Sequence, residues 1–354
     1  MTKDPKKIGI FRVGHIGDTI IALPAFWTVR KRFPSAHILY LTQQHQSGKL
    51  AQGLDVLRKG TVFDDSFSYS LGSGGVSKLE TVKTLLRLRR EKLDMLVYLP
   101  PYRTAAQLAR DEKFFKLAGV KQIVGMRGYS QTDYHPEGKP LKLLDFEADT
   151  LLSHLKLDGI SIDEDSKELT GFGFSAEELA LAENWFKKMK IDRSKPIIAV
   201  APGSKMAAKI WPIDRMTETL RTIDAKFQPT FILFGGPIER EDCEKCARSV
   251  TNGVNTAGEL SIRESAAIMS KCSLYVGIDS GPMHIAAAEK VPCVSIFSAR
   301  DYPGRWYPYG DRHTVLRQVV PCEGCMLEVC DKDNLCLKLI SVDSVVEAIC
   351  SYLN

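Results

Sequence analysis

Apolar runs alternate with amphipathic stretches along most of the chain. The first run, KIGIFRV, ends in a glycine-bearing loop and is followed by the helical pattern TIIALPAFWTVRKRF. The alternation continues through HILYLT, VKTLLRLRREKL, DMLVYLP, RTAAQLARDEKFFKLAG and KQIVGM. Short apolar runs separated by helical stretches indicate βαβ units, and therefore a parallel sheet.

The pattern loosens between about residues 133 and 169 and then restarts. SAEELALAENWFKKMKI is amphipathic with Ser175 placed as its N-cap, and the apolar runs PIIAVAPGS, TFILFGG, SLYVGIDSG and PCVSIFS follow. We therefore expect an α/β protein with two Rossmann-like domains, residues 1–170 and 171–354, whose parallel sheets face a central cleft. The last amphipathic stretch, SVDSVVEAICSYL, predicts a C-terminal helix.

Composition and charge narrow the class of protein. The chain has 354 residues, of which 44% are hydrophobic and 26% charged, as in soluble globular proteins. Its net charge of +5 is a mild positive excess, smaller than expected for a dedicated nucleic-acid-binding protein with a concentrated basic surface. A mild positive charge suits an anionic substrate. No signal-peptide pattern and no run of about 20 apolar residues is present, so we expect a cytoplasmic protein that can contact the inner membrane face peripherally.

The first strand-to-helix junction, GHIGD, places a carboxylate at the start of a helix. Gly14 and Gly17 do not form the G-x-G-x-x-G fingerprint, and the next strand ends in Thr42 rather than in a ribose-binding acid, which disfavours a nicotinamide dinucleotide site. Asp18 has two readings: it caps the helix as its N-cap, or it acts as a general base on an acceptor hydroxyl.

Three junctions in the second half carry residues suited to phosphate. Glycine, hydroxyl groups and lysine after an apolar strand can bind an anion at a helix N-terminus. The alternatives are solvated lysines, helix-capping acids and a packed histidine. The residues are Ser204, Lys205 and Lys209 in APGSKMAAKIWP, Glu239 in FGGPIERE, and Asp279, Ser280, Gly281 and His284 in GIDSGPMH.

These junctions, in this order, resemble glycosyltransferase family 9, the ADP-heptose:lipopolysaccharide heptosyltransferases and their relatives. The matching pieces are GDTIIALPAFWTVRKRFP, APGSKMAAKIWP, FGGPIERE, GIDSGPMHIAAA and the tail CEGCMLEVCDKDNLCLKLISVDSVVEAI. The resemblance implies a GT-B fold with an acceptor-binding N-terminal domain and a nucleotide-sugar-binding C-terminal domain. It also implies a metal-independent, inverting transfer, and a C-terminal helix that packs back on the N-terminal domain.

The resemblance assigns roles to individual residues. Asp18 matches the catalytic base, Ser204 and Lys209 match donor-phosphate contacts, and Glu239 matches the ribose-binding acid. The D-S-G-P-M-H piece matches the diphosphate and sugar contacts through Asp279, Ser280, Gly281 and His284. On the acceptor side the candidates are Gly17, Arg103 and Arg127. Each arginine follows an apolar strand, and surface salt bridging is the alternative reading for both.

Four cysteines cluster near the C-terminus in the spacing C-x2-C-x4-C-x5-C. Cys322, Cys325, Cys330 and Cys336 could bind structural zinc or iron, remain thiols, or form disulfides. Structural zinc sites usually pair two C-x2-C knuckles, and this segment has one. We expect no cofactor for catalysis.

The expected partners are a nucleoside-diphosphate sugar donor and an anionic glycan or glycolipid acceptor, with no nucleic acid. The favoured function is transfer of a sugar, heptose from ADP-heptose, to a lipopolysaccharide core or related glycan. Two alternatives stay open at this point: a transferase of the same fold with another donor or acceptor, and a non-catalytic nucleotide-sugar-binding protein.

Overall fold

The computed structural model describes residues 4–45, 53–71 and 75–354. The chain divides into two compact units: unit 1 is Met1–Tyr134 with Glu147–Gly173, and unit 2 is His135–Phe146 with Phe174–Asn354. The sequence predicted one boundary after residue 170, whereas the division falls after residue 173 and assigns the polar segment 135–146 to unit 2. Backbone contacts explain the assignment, because the Leu144 N–H donates to the Pro303 carbonyl at 2.9 Å.

Unit 1 contains a five-stranded parallel sheet in the order β3-β2-β1-β4-β5. The central strands are buried along their length, as expected for a parallel sheet covered on both faces. The strands are β1 (Lys7–Phe11), β2 (His37–His45), β3 (Asp65–Leu71), β4 (Met95–Tyr98) and β5 (Gln122–Val124). The sequence analysis predicted no strand at β3, whose residues DSFSYSL are largely polar and form an edge of the sheet.

The helices of unit 1 are α1 (Ile16–Ile21), α2 (Leu23–Arg32), α3 (Gly53–Val56), α4 (Lys78–Glu91), α5 (Ala105–Leu117) and α6 (Glu147–Leu157), with 3₁₀ turns at Arg127–Ser130 and Glu164–Glu168. The single helix predicted over TIIALPAFWTVRKRF is wrong, because the structure has two helices there. Pro24 lies in the first turn of α2, where its missing N–H costs nothing, but it could not continue α1.

Unit 2 contains a six-stranded parallel sheet in the order β11-β10-β9-β6-β7-β8. Its strands are β6 (Ile197–Ala201), β7 (Thr230–Leu233), β8 (Gly253–Asn255), β9 (Leu274–Ile278), β10 (Cys293–Phe297) and β11 (His313–Arg317). The helices are α7 (Ala176–Lys188), α8 (Ile213–Phe227), α9 (Arg240–Arg248), α10 (Ile262–Met269), α11 (Gly281–Ala288), α12 (Leu335–Lys338) and α13 (Val342–Leu353), with 3₁₀ turns at Ala207–Lys209 and Pro237–Glu239. The predicted N-cap of α7 is confirmed, since Ser175 Oγ accepts from the Glu178 N–H at 3.2 Å.

The C-terminal helix packs within unit 2. α13 lies against α8, and its Val345 and Ile349 are fully buried in the same core as Trp211 and Leu220. Trp211 Nε1 donates to the Ile340 carbonyl at 3.3 Å, just before this helix begins. The apolar stripe of α13 therefore has a partner in its own unit.

In the described ranges, no helix has both the length and the apolar character needed to cross a membrane.

Candidate functional site

Each sheet has a topological switch point, where the connections leaving two neighbouring strands run to opposite sides. In unit 1 it lies between β1 and β4, because β2 and β3 follow β1 on one side and β5 follows β4 on the other. In unit 2 it lies between β6 and β9, because β7 and β8 follow β6 on one side and β10 and β11 follow β9 on the other. Ligands of open α/β sheets bind beyond the carboxyl ends of strands at such a point. The candidate residues are therefore expected near the carboxyl ends of these strands.

At the switch point of unit 1, Asp18 lies in the first turn of α1. The predicted N-cap role is wrong, because the N-cap is His15 and Asp18 occupies the third helical position. Its Oδ2 reaches back to accept the His15 N–H at 2.6 Å. Gly14, with φ of +126°, makes room for this, since a Cβ there would lie 2.6 Å from Asp18 Oδ2. The carboxylate remains 18% exposed and so accessible to a substrate hydroxyl.

A buried arginine supports the Asp18 turn. Arg12, which directly follows β1, is fully buried, and its Nε donates to the Asp18 carbonyl at 2.8 Å. Its Nη1 donates to the Leu99 carbonyl at 2.5 Å, just beyond β4, and lies 3.7 Å from Glu147 Oε1. Its Nη2 lies 3.9 Å from Asp18 Oδ1. Arg12 therefore joins the two strand ends that flank the switch point.

The acceptor-side arginines both pair with carboxylates. Arg103 Nε lies 3.5 Å from Asp111 Oδ2, and its side chain is 18% exposed. Arg127 donates to Asp158 at 2.5 Å and is 67% exposed. Gly17 lies half-buried inside α1, one residue before Asp18. Of the two arginines, Arg103 lies in the loop after β4, a strand that flanks the switch point, whereas Arg127 follows the edge strand β5.

At the switch point of unit 2, a lysine meets two carboxylates. Lys209 Nζ lies 2.6 Å from Asp279 Oδ2 and 3.6 Å from Asp301 Oδ2. Burial lowers the pKa of Lys209, but the two carboxylates outweigh it, so the pKa lies above its usual value. The lysine is therefore protonated at neutral pH. Since Lys209 follows β6 and Asp279 follows β9, the pair spans the switch point.

The next junction brings Glu239 against the loop after β6. Its Oε2 accepts the Gly236 N–H at 2.8 Å, and a Cβ on Gly203 would lie 2.4 Å from its Cγ. Gly203 thus allows Glu239 and the β6 loop to approach closely. Ser204 Oγ accepts the Met206 N–H at 3.2 Å, which makes a local turn, and Lys205 is exposed.

The remaining donor candidates lie at the start of α11. Ser280 is its N-cap in an extended conformation, followed by Gly281 and a proline in the first turn. Ser280 Oγ donates to the Ile278 carbonyl at 3.3 Å, and His284 is 7% exposed on the first turn. The helix N-terminus and the Lys209 pair therefore sit at the end of the same strand, β9.

Sequence reasoning missed four residues at these sites: Arg12, Glu147, Arg300 and Asp301. Arg12 interrupts the apolar run KIGIFRV, and a charged residue inside a buried run is a signal of a specific partner. Arg300 and Asp301 follow the run PCVSIFS in the same way as the candidates after the other strands. Glu147 stands at the start of an ordinary helix and offers no such signal.

All four clustered cysteines line one small cavity of about 10 Å³. All nine cysteines are free thiols, and the described part of the chain holds no group of three or more His, Cys, Asp or Glu side chains placed to bind a metal ion. The predicted zinc or iron site gains no support from this arrangement. The Cys336 Sγ instead accepts the Ala299 N–H at 3.4 Å, and the Cys330 Sγ accepts the Lys332 N–H at 3.4 Å.

Two parallel sheets of Rossmann type, one with a carboxylate and the other with a paired lysine at its switch point, define the class of protein as a two-sheet α/β protein. Residues 87–335 match the family model described as glycosyltransferase family 9 (heptosyltransferase). This match covers more than half of the chain, so the chain belongs to glycosyltransferase family 9, and the expected glycosyltransferase class is confirmed.

Individual relatives agree with the family. The chain is 25% identical to "Lipopolysaccharide heptosyltransferase 3" of Escherichia coli K12 over 83% of this chain and 82% of the relative. The structure resembles a family 9 glycosyl transferase from Veillonella parvula with a TM-score of 0.77 and 20% identity, over 100% and 98% of the two chains. It also resembles E. coli ADP-heptose lps heptosyltransferase II with a TM-score of 0.67 and 18% identity, over 98% of both chains. The predicted GT-B class, with two Rossmann-like halves and parallel sheets, is confirmed.

Proposed function

We propose that the protein transfers a heptose from ADP-heptose to the core of a lipopolysaccharide, with inversion and without a catalytic metal. The observation that carries the proposal is the Lys209–Asp279 pair at the switch point of the unit 2 sheet. The heptose, the adenine nucleotide and the lipopolysaccharide acceptor come from the names of the relatives. The chemistry of the site supports each step of such a transfer.

Lys209 and the N-terminus of α11 bind the donor diphosphate. A protonated ammonium and free backbone amides stabilise the negative charge that grows on the leaving nucleoside diphosphate. Asp279 orients Lys209 through the 2.6 Å contact. Glu239, held by the Gly236 N–H, accepts hydrogen bonds from the ribose hydroxyls. The positive charge that a metal ion supplies in other transferases is supplied by Lys209.

Asp18 acts as the general base. It takes the proton of the acceptor hydroxyl as that oxygen forms a bond to the anomeric carbon and the bond to the diphosphate breaks. One displacement inverts the anomeric centre and releases ADP. The His15 N–H fixes the Asp18 carboxylate, and Arg12 holds the same turn through the Asp18 backbone carbonyl, so little reorganisation is needed when the acceptor arrives.

Arg103 is the acceptor contact that best fits the site. It follows β4 at the switch point, whereas Arg127 is committed to Asp158 on an exposed surface. A guanidinium partly engaged by Asp111 retains donors for a phosphate or carboxylate on the acceptor.

The test is ADP release from ADP-heptose with a heptose-deficient lipopolysaccharide core, measured with and without EDTA, and the configuration of the product by NMR. We expect turnover unaffected by EDTA and an inverted anomeric centre. Loss of turnover that magnesium or manganese restores would refute metal independence, and retention would refute the single displacement.

The donor is tested separately by thermal shift, since a ligand that binds only the folded state raises its melting temperature. ADP-heptose should stabilise the protein more than GDP-, UDP- or CMP-sugars and more than NAD. Stabilisation by another nucleotide sugar alone would assign a different donor on the same site. Stabilisation by ADP-heptose without turnover of any acceptor would favour a non-catalytic binding protein.

A further inference from the structure

The Cys-rich segment, residues 322–336, has no role in the proposed function, yet it lies against the carboxyl end of β10. The Gly324 N–H donates to the Ala299 carbonyl at 2.8 Å, and the Met326 N–H donates to the Arg300 carbonyl at 3.0 Å. The Cys336 Sγ closes this junction by accepting the Ala299 N–H. The Cys-rich segment is therefore hydrogen-bonded to the residues that follow β10.

Arg300 extends this junction with its side chain. It is 7% exposed, and its Nε donates to the Leu327 carbonyl at 2.6 Å while its Nη2 donates to the Met326 carbonyl at 2.8 Å. Its Nη1 pairs with Asp301. A guanidinium held by two backbone carbonyls has a fixed orientation, so Asp301 is held by a fixed cation.

The Cys-rich segment contacts the turn that carries Lys209, and the Lys209 side chain lies near Asp301 at the end of β10. The Ala208 N–H, one residue before Lys209, donates to the Glu328 carbonyl at 3.0 Å. Asp301, paired with Arg300, lies 3.6 Å from Lys209 Nζ. The Cys-rich segment thus supports the 3₁₀ turn that carries the lysine and, through Arg300, the second carboxylate beside it.

We propose that the Cys-rich segment positions Lys209 for the donor diphosphate, with Arg300 as the positioning residue. This inference rests on the donor role proposed above for Lys209. Arg300 balances the charge of Asp301. Without Arg300, Asp301 draws Lys209 toward itself and adds an uncompensated negative charge next to the phosphate site. The effect is specific to the phosphates of the ligand, because the charges involved lie at Lys209 and not at a nucleoside contact.

The experiment measures the Kd of ADP and of adenosine by calorimetry for the wild type, Arg300→Met and Arg300→Lys. We expect Arg300→Met to weaken ADP binding about tenfold, the size of one lost charge-assisted contact, and to leave adenosine binding unchanged. Arg300→Lys keeps a cation beside Asp301 and should recover most of the ADP affinity. The matched control is Arg263→Met, which removes another partly buried arginine of unit 2, paired with Glu178 at 2.5 Å. It should leave both Kd values unchanged.

Lys209→Met separates failure of this inference from failure of the proposed function. If Lys209→Met binds ADP like the wild type, the proposed donor site is wrong. If Lys209→Met weakens ADP and Arg300→Met does not, only the positioning role is overturned. Equal weakening of ADP and adenosine by Arg300→Met also overturns it, because a general loss of structure moves both.

A second variant covers the case in which Arg300→Met does not fold. Cys336→Ala removes the sulfur that accepts the Ala299 N–H but leaves Arg300 and Lys209 in place. We expect ADP binding to weaken about threefold with adenosine unchanged, since one weak hydrogen bond to sulfur is lost. Wild-type ADP affinity in a folded Cys336→Ala, together with a non-folding Arg300→Met, would overturn the proposal.

Discussion

The two units have the same sheet topology at their switch points but carry different cations there. In unit 1 the cation is Arg12, which is fully buried and bonded to two backbone carbonyls. In unit 2 the cation is Lys209, whose side chain is 15% exposed and whose ammonium lies near the carboxylates of Asp279 and Asp301. Arg12 is hydrogen-bonded near both strand ends and is fully buried, whereas the Lys209 side chain keeps a small exposed fraction.

The difference shows how one sheet topology supports two tasks. A guanidinium with several donors can satisfy backbone carbonyls and remain buried, so it fixes the turn that presents Asp18. An ammonium is a compact charge that can exchange one anionic partner for another, so it suits the binding and release of the diphosphate in the proposed function. In the proposed function, the two units share a sheet topology, and the residue at each switch point distinguishes their tasks.

The comparison is tested most strongly at Asp18. Asp18→Asn keeps a side chain that can accept the His15 N–H but removes the base. We expect kcat to fall by roughly 10²- to 10⁴-fold, the usual contribution of a general base, while the Kd of ADP stays unchanged because the donor candidates lie in unit 2. Steady-state ADP release and calorimetry measure the two quantities.

Glu112→Gln is the matched control for Asp18→Asn. Glu112 is an exposed carboxylate of unit 1 that pairs with Lys116 at 2.6 Å, and its loss should leave kcat within twofold. Wild-type turnover by Asp18→Asn would show that Asp18 is not the general base. The switch point of unit 1 would then have no proposed role in catalysis.

The structural role of Arg12 predicts a large effect on stability. Arg12→Met removes a buried cation with two carbonyl acceptors and leaves Glu147 and Asp18 without it. We expect a loss of about 3 kcal/mol in the free energy of unfolding, as for breaking other buried pairs. Arg127→Met, whose side chain is 67% exposed, should cost under about 1 kcal/mol. Urea titrations of both variants give the comparison. Equal losses in the free energy of unfolding would show that the buried Arg12 contributes no more to stability than the exposed Arg127.

The sequence predicted strands well where the residues are continuously apolar and poorly where they are polar. β6 and β9 were found because their residues are uniformly apolar, whereas β3 was missed because an edge strand can be polar. Asp18 was found as the carboxylate after the first strand. Its position in the helix was misjudged because a capping residue can lie three positions before the acid.

The pairing of site residues could not be predicted in the same way. Lys209 and Asp279 were each expected at a strand end, but the sequence does not give the order of the strands, which is what brings them to 2.6 Å. Asp301 and Arg300 follow a strand whose end carries no recognised motif. The cysteine spacing suggested a metal site because spacing reports proximity along the chain and not the geometry of four sulfurs.

The last expected difference is in acid sensitivity, between α6 of unit 1 and the helices α7 and α10 of unit 2. Burial lowers the pKa of His154 in unit 1 to about 4, so the unfolded chain takes up its proton first. Stability from this group is fully present above about pH 6.5 and is lost as the pH falls toward 4, by at most about 3 kcal/mol. In unit 2, the hydrogen bond from Arg263 lowers the pKa of Glu178 to about 2. Its contribution is present above about pH 4.5 and is lost as the pH falls through 2.

Helix α6, which carries His154, should therefore lose stability at a higher pH than α7 and α10, which are joined by the Glu178–Arg263 pair. Hydrogen exchange, corrected for the intrinsic effect of pH, should show earlier loss of protection in α6 than in α7 and α10. His154→Gln should remove the step in unit 1, since an amide can still bond the Thr132 hydroxyl, which lies 2.9 Å from His154 Nε2, without titrating. If α6 in His154→Gln loses protection between pH 6.5 and 4 as in the wild type, another group sets the acid sensitivity of unit 1.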